Sequence, residues 1–119
     1  MDQDRNLEAG NEFEEAVRLA QPKPDFESAF NAGVAFRLAG KLDKAETFYR
    51  KAAQIRPEDS STHMNLGAML HLVGKLEEAE SEYLLAWKLN PGDIATKTNI
   101  KRLQNIMRSK GIEVKPVNL

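Results

Sequence analysis

The chain has 119 residues, 17 Lys and Arg against 18 Asp and Glu, 41% apolar residues and no cysteine. This length and apolar content predict one globular domain and argue against a disordered segment. No apolar run reaches the roughly 18 residues of a membrane span, zero cysteine excludes disulfides, thiol catalysis and cysteine-zinc sites, and a net charge of -1 argues against a general nucleic-acid binder.

The opening residues, MDQDRNLEAG, are acidic and polar and predict no signal peptide in the chain as it stands. Residues 7–21 read as a lone half-repeat helix: AQPKPD (20–25) echoes AQIRPE (53–58) at an offset of 33, which puts Glu12, Ala16 and Leu19 where Ala45, Tyr49 and Ala52 stand later. The next pieces are defined by self-similarity. Shifting the sequence by 34 positions lays Asn31 on Asn65, Gly33 on Gly67, Gly40-Lys41-Leu42 on Gly74-Lys75-Leu76, Ala45-Glu46 on Ala79-Glu80, Tyr49 on Tyr83, and Pro57 on Pro91. Two complete repeats, 25–58 and 59–92, therefore follow the first helix.

Each repeat reads as a helix pair. In the first, helix A runs from about Phe26 to Ala39 and helix B from about Leu42 to Ile55. Ala29, Ala32, Gly33 and Phe36 recur on one helical face, as do Ala45, Tyr49 and Ala52. Gly33 and Ala45 allow close approach, with Tyr49 supplying bulk beside them. Gly40 and Gly74 suit left-handed helix ends, Pro57 and Pro91 stop the B helices, and Asp59 and Asp93 read as N-caps. Residues 93–110 then predict a third A helix, with Asn99 34 positions beyond Asn65. Lys101 and Gln104 replace small and apolar residues there, which reads as the polar outer face of a terminal cap. Gly111 and Pro116 interrupt the remainder, so 111–119 reads as a tail.

The 34-residue period, with Gly33, Phe36, Ala45, Tyr49, Ala52 and Pro57 and then Leu66, Gly67, Leu70, Ala79, Tyr83, Ala86 and Pro91, resembles the tetratricopeptide repeat (TPR). The usual tryptophan near the start of helix A is replaced by Ala29 and His63. The resemblance implies an all-α fold, a TPR-type α-solenoid of antiparallel helix pairs with about six helices, forming a single domain over 1–119. A chain that begins on half a repeat also leads us to expect a fragment of a longer array.

In TPR proteins the A helices line a concave groove. The resemblance places Glu27, Phe30, Asn31, Val34, Arg37 and Leu38 there from the first repeat. From the second it places Ser61, Met64, Asn65, Ala68, His71 and Leu72, and from the cap Thr98, Asn99, Arg102 and Asn105. Asn31, Asn65 and Asn99 recur at constant spacing. A primary amide both donates and accepts, so each can bond a peptide main chain whatever its side chains. The pattern resembles the asparagine ladder of the O-GlcNAc transferase TPR domain. The alternative is that these asparagines bond their own helix backbone. Phe30, Met64 and Leu38 fit either an apolar patch in the groove or helix packing. The expected peptide-binding set is Asn31, Asn65, Asn99, Phe30, Arg37, Met64, His71 and Arg102.

Other constellations point nowhere in particular. His63 and His71 lie eight residues apart, about 80° out of alignment on a helix, with no third ligand evident. Lys97, Lys101, Arg102, Arg108 and Lys110 suit a solvated cap face or an acidic partner. Glu77, Glu78, Glu80 and Glu82 run round a helix instead of converging as an acid/base pair. No phosphate loop, nucleophile elbow or metal motif occurs. We therefore expect no catalytic site, metal or cofactor, a protein or peptide partner, and no contact with nucleic acid or membrane.

The runs HMNLGAMLH (63–71), GKLEEAE (74–80), LNPGD (89–93) and TNIKRLQNIM (98–107) resemble the C-terminal TPR region of the TMTC family, the transmembrane and TPR-containing O-mannosyltransferases of the endoplasmic reticulum. That resemblance covers about residues 25–110. It implies acceptor-protein recognition in the lumen, as part of a membrane enzyme that mannosylates Ser or Thr and whose catalytic half is absent from this chain. No Asn-x-Ser/Thr sequon accompanies it. The competing expectation is a cytoplasmic co-chaperone or scaffold. Clamps for acidic C-terminal tails carry a lysine and an asparagine, then an asparagine, then a lysine and an arginine. Asn65 and Arg102 match, but Phe30, Val34 and Thr98 do not.

Overall fold

A computed structural model describes residues 2–19 and 25–119. Among the described residues six helices succeed one another: α1 (Asp2–Leu19), α2 (Phe26–Leu38), α3 (Leu42–Ile55), α4 (Ser60–Leu72), α5 (Leu76–Leu89) and α6 (Ile94–Ser109). No strand occurs among the described residues. The observed class is the expected one, all-α with antiparallel helix pairs. Contacts divide the chain into two compact units, Met1–Glu58 and Asp59–Leu119.

Local chemistry sets the helix boundaries. Asp25, Asp59 and Asp93 each precede an A helix and cap it. Asp25 accepts from the Glu27 N–H (3.0 Å) and the Ser28 hydroxyl (2.6 Å), Asp59 from the Thr62 N–H (2.9 Å) and hydroxyl, and Asp93 from the Thr96 N–H (3.0 Å) and hydroxyl (2.7 Å). These bonds satisfy donors that the first helical turn leaves open. At the other end, Gly40 and Gly74 take positive φ (78° and 86°). The Lys41 and Lys75 N–H groups then reach back to the Phe36 and Leu70 carbonyls at 2.8 Å, closing the helix as a Schellman turn does.

The caps have a pH consequence. Hydrogen bonds from the Ser28 hydroxyl to Asp25, and from the Thr96 hydroxyl to Asp93, hold both carboxyls below their usual range. A carboxylate with a depressed folded-state pKa stabilises the fold above its unfolded value, about 3.9 for aspartate. It gives up that contribution as pH falls through the folded value. The melting temperature is therefore expected to drop below about pH 4. Asn is as good an N-cap as Asp but does not titrate, so the Asp25→Asn, Asp93→Asn double variant should show a shallower drop. Identical acid limbs in a pH series of thermal melts would contradict this.

In the unit Met1–Glu58, α2 packs against both α1 and α3. Phe36 is its centre, fully buried and stacked on Phe48 with ring centroids 5.7 Å apart. A Cβ at Gly10 would sit 2.9 Å from the Phe36 ring, so α1 approaches the ring with bare backbone. The register expected for α1 is overturned here. Glu12, Ala16 and Leu19 are exposed, whereas Gly10 and Val17 are buried. The expected face is displaced by two residues, about 200° around the helix. The reason is steric: only a residue without a side chain fits over Phe36, and Gly10 is that residue. Helix α1 also begins at Asp2 rather than residue 7; residues 20–21 of the expected span lie outside the described residues.

In the unit Asp59–Leu119, α5 packs on α4 and α6, and α4 touches α6. His63, standing where TPR sequences usually carry tryptophan, is buried, and its Nδ1 lies 2.7 Å from Glu82 Oε1. The equivalent positions 34 residues earlier hold Ala29 and Phe48, both buried. The second repeat thus places a polar pair where the first places apolar side chains.

The end of this unit differs from expectation. Gly111 (φ 74°) closes α6 as Gly40 and Gly74 close α2 and α4, with the Ile112 N–H bonded to the Met107 carbonyl at 2.8 Å. The residues that follow fold back over α5 and α6. Gln104, expected on a polar outer face, is 4% exposed and donates to both Glu80 and the Lys115 carbonyl at 2.9 Å. A buried amide must be bonded to offset its desolvation, and the returning chain supplies the partner.

Candidate functional site

The outer stripe of each A helix holds the residues singled out by spacing. On α2, Phe30, Val34 and Arg37 succeed one another at i, i+4 and i+7, which aligns them along the helix. Phe30 is half-buried. Its ring stacks on Phe26 (5.8 Å) and meets Tyr49 edge-on (5.7 Å). Arg37 directs Nε toward the Tyr49 hydroxyl at 3.4 Å. Asn31 is exposed beside this stripe and makes no side-chain hydrogen bond among the described residues.

The tyrosines are seated by glycine. A Cβ at Gly33 would meet the Tyr49 ring at 2.9 Å, and one at Gly67 would meet the Tyr83 ring at 2.7 Å. The expectation that small A-helix residues admit bulk from helix B is met in both repeats. Burial pushes both phenols above their ordinary pKa. The Arg37 hydrogen bond and charge oppose this at Tyr49, and the Arg102 charge opposes it at Tyr83. Each tyrosine thus keeps a neutral hydroxyl with one arginine near it, a pairing the sequence reading missed. Arg37 sits on the same repeat's A helix as its tyrosine, whereas Arg102 sits on α6, so the 34-residue period carried no common signal for the two.

On α4, Asn65 is half-buried, and its Nδ2 donates to the Ser61 carbonyl one turn earlier (2.9 Å). That is the backbone-bonding alternative left open for the asparagines, and it applies to this one. Its Oδ1 remains available as an acceptor. Met64 is half-buried and its sulfur lies 3.4 Å from the Thr96 hydroxyl oxygen, so it contributes to the contact between α4 and α6. His71 is half-buried in the last turn of α4, and Leu72 after it is 63% exposed. On α6, Asn99 is half-buried with no side-chain hydrogen bond among the described residues, and Arg102 is exposed. The structure thus brings Met64 to α6 and Arg37 to Tyr49. Asn31 belongs to one unit, Asn65 and Asn99 to the other.

The four carboxylates of α5 serve separate ends. Glu82 holds His63, Glu80 holds Gln104 and the main chain at Lys115, and Glu77 and Glu78 are exposed. Among the described residues no three His, Asp or Glu side chains converge as metal ligands, and no helix is long and apolar enough to cross a membrane.

A family profile described as tetratricopeptide repeat matches residues 1–60, half of the sequence. The chain belongs to the tetratricopeptide repeat family. The profile spans the first helix together with the first complete TPR pair. No curated protein matches the sequence. Solved structures extend the TPR likeness over most of the chain. The Yersinia enterocolitica type III secretion chaperone SycD, crystallised with a peptide of the translocator YopD, superposes with a TM-score of 0.69 at 21% identity. It covers 89% of this chain and 79% of that one. The first TPR of Spaghetti (RPAP3), bound to the HSP90 peptide SRMEEVD, gives 0.70 at 19% identity, covering 90% and 94%. At these identities the likeness is one of TPR fold.

Proposed function

We propose that this TPR chain binds an extended peptide or protein segment through its main chain. Asn31 on α2 is the contact in the unit Met1–Glu58, and Asn65 on α4 and Asn99 on α6 are those in the unit Asp59–Leu119. The observation that carries this reading is the Asn31 side chain: exposed, with both its donor and acceptor unspent among the described residues. Phe30 beside it offers an aromatic edge to the ligand, with Arg37 two stripe positions further on. Two structural neighbours hold peptides, which supports the class of ligand without identifying it.

The test is a fluorescence-anisotropy titration of the full chain with peptides selected from a random library. A net contribution near 1 kcal/mol per hydrogen bond predicts that Asn31→Ala lowers affinity several-fold. Asn65→Ala should cost less, because its amide nitrogen is already bonded to Ser61. Unchanged affinity in the triple alanine variant would end the proposal.

For the parent protein, we favour acceptor recognition in a TMTC-type O-mannosyltransferase of the endoplasmic reticulum lumen. The support is the ordered resemblance of 63–71, 74–80, 89–93 and 98–107 to that family. Deleting residues 26–109 from the parent should abolish acceptor choice, and unaltered mannosylation would refute the assignment. A cytoplasmic co-chaperone or scaffold is the second reading, favoured by the neighbour that binds SRMEEVD. Phe30 weighs against it, since an aromatic ring packed on Phe26 and Tyr49 stands where an acidic-tail clamp has a cation. Tight binding of SRMEEVD to this chain would reverse that order.

A further inference from the structure

The segment after α6 is held by groups that read its main chain. The Lys115 N–H donates to Glu80 Oε2 at 2.9 Å, and the Lys115 carbonyl accepts from Gln104 Nε2 at 2.9 Å. Three residues on, the Asn118 carbonyl accepts from the Trp87 indole N–H at 3.2 Å. Glu80 and Gln104 are 2% and 4% exposed, and they are bonded to each other at 2.9 Å. A carboxylate desolvated to this degree needs strong donors, and a main-chain N–H is one of the two it has here.

The side chains of the segment show what else the surface selects. Ile112, Val114, Val117 and Leu119 are half-buried, while Glu113, Lys115, Pro116 and Asn118 are exposed. This alternation is that of an extended chain, stepping once at Lys115-Pro116. The Lys115 ammonium donates to Ser81 Oγ at 2.7 Å. Beside it an open cleft of about 500 Å³ is bordered by Glu77, Glu78 and Glu113, which favours a cation. On the other side a cleft of about 570 Å³ runs against Lys101 and Arg108. The segment is therefore bonded at fixed points but not enclosed.

We propose that the α5–α6 face is a second peptide-binding site, separate from the A-helix asparagines. It takes an extended segment with apolar residues flanking Lys-Pro, and residues 112–119 fill it in cis. Three of its four contacts to the ligand go to main-chain atoms. Tethering places the cis segment at an effective concentration on the order of millimolar, which keeps a free peptide out of the wild-type chain.

Trp87 is the single tryptophan, so its indole N–H resonance reports occupancy. Lys115→Pro in the full chain removes the N–H that Glu80 accepts, and the ammonium, without touching a helix. The indole resonance should shift and exchange faster with solvent, with far-UV circular dichroism unchanged. Adding the free peptide Ile-Glu-Val-Lys-Pro-Val-Asn-Leu should return the resonance to its wild-type position. The same peptide methylated on the lysine main-chain nitrogen should bind at least about tenfold more weakly, the loss expected of a hydrogen bond to a buried carboxylate. An unmoved indole in Lys115→Pro, or equal rescue by a scrambled peptide, would overturn the proposal. Should the variant lose helix, exchange in the wild-type chain decides instead, since an unprotected Lys115 amide refutes capture by Glu80.

Discussion

Phe36→Ala is expected to destabilise the unit Met1–Glu58 by about 3–5 kcal/mol, the range for removing a fully buried aromatic ring. The ring has no exposed surface, stacks on Phe48, carries the Lys44 ammonium 5.0 Å from its centroid, and bears the α1 backbone at Gly10. Truncation would leave a cavity bordered by three helices. Collapse into it is hindered because Gly10 has no side chain to advance. Phe30→Ala is the control. Phe30 is only half-buried and should cost clearly less. Urea denaturation of the two variants measures the difference, and a larger loss for Phe30→Ala would show that the core is misassigned. The functional consequence follows from position, since Asn31 lies on the helix that Phe36 anchors to both neighbours.

Gly67→Ala is expected to destabilise the unit Asp59–Leu119 by about 2 kcal/mol, against the sign of helix propensity. Alanine is favoured over glycine in a helix interior by about 1 kcal/mol. The new Cβ, however, would stand 2.7 Å from Tyr83 Cδ1 and 2.8 Å from Cε1. Those atoms belong to a ring that is 3% exposed, so relief requires moving α5 rather than swinging a flexible chain end. Overpacking of this kind costs about 1–3 kcal/mol and occasionally more, which outweighs the propensity gain. Gly33→Ala repeats the test one unit earlier, with 2.9 Å to Tyr49. Thermal melts of both variants check the sign, and a raised melting temperature for Gly67→Ala would show that the helices separate at little cost.

The repeat made much of this legible in advance. Every residue whose role is local kept the role its type implies: Asp59 and Asp93 as caps, Gly40 and Gly74 at left-handed helix ends, Pro57 and Pro91 beyond the B helices. Gly33 with Tyr49, and Gly67 with Tyr83, were readable because the same small–large pairing occurs twice at one spacing. The α1 face was misread because its register was taken from the echo of residues 20–25 in 53–58, which says nothing of what fits over Phe36. Gly10 also looks like a helix weakness until Phe36 is seen beneath it.

The candidate site divides in the same way. Spacing alone put Asn31, Asn65 and Asn99 on A helices, but it could not tell an unspent amide from one bonded to its own helix. That depends on which rotamer reaches Ser61. Nor could it show that Glu80, Gln104 and Lys115 meet, because they lie on two helices and a returning segment.

The sequence by itself determined the helix count, the caps, the period and the pairing of small with large residues. These follow from dihedral preference and from periodicity within about one repeat of chain. Only the tertiary structure decided which face of α1 is buried and that residues 112–119 dock on Glu80, Gln104 and Trp87. Those outcomes turn on packing and on satisfying buried polar groups across separations of about 11 to 35 residues, where no local preference acts.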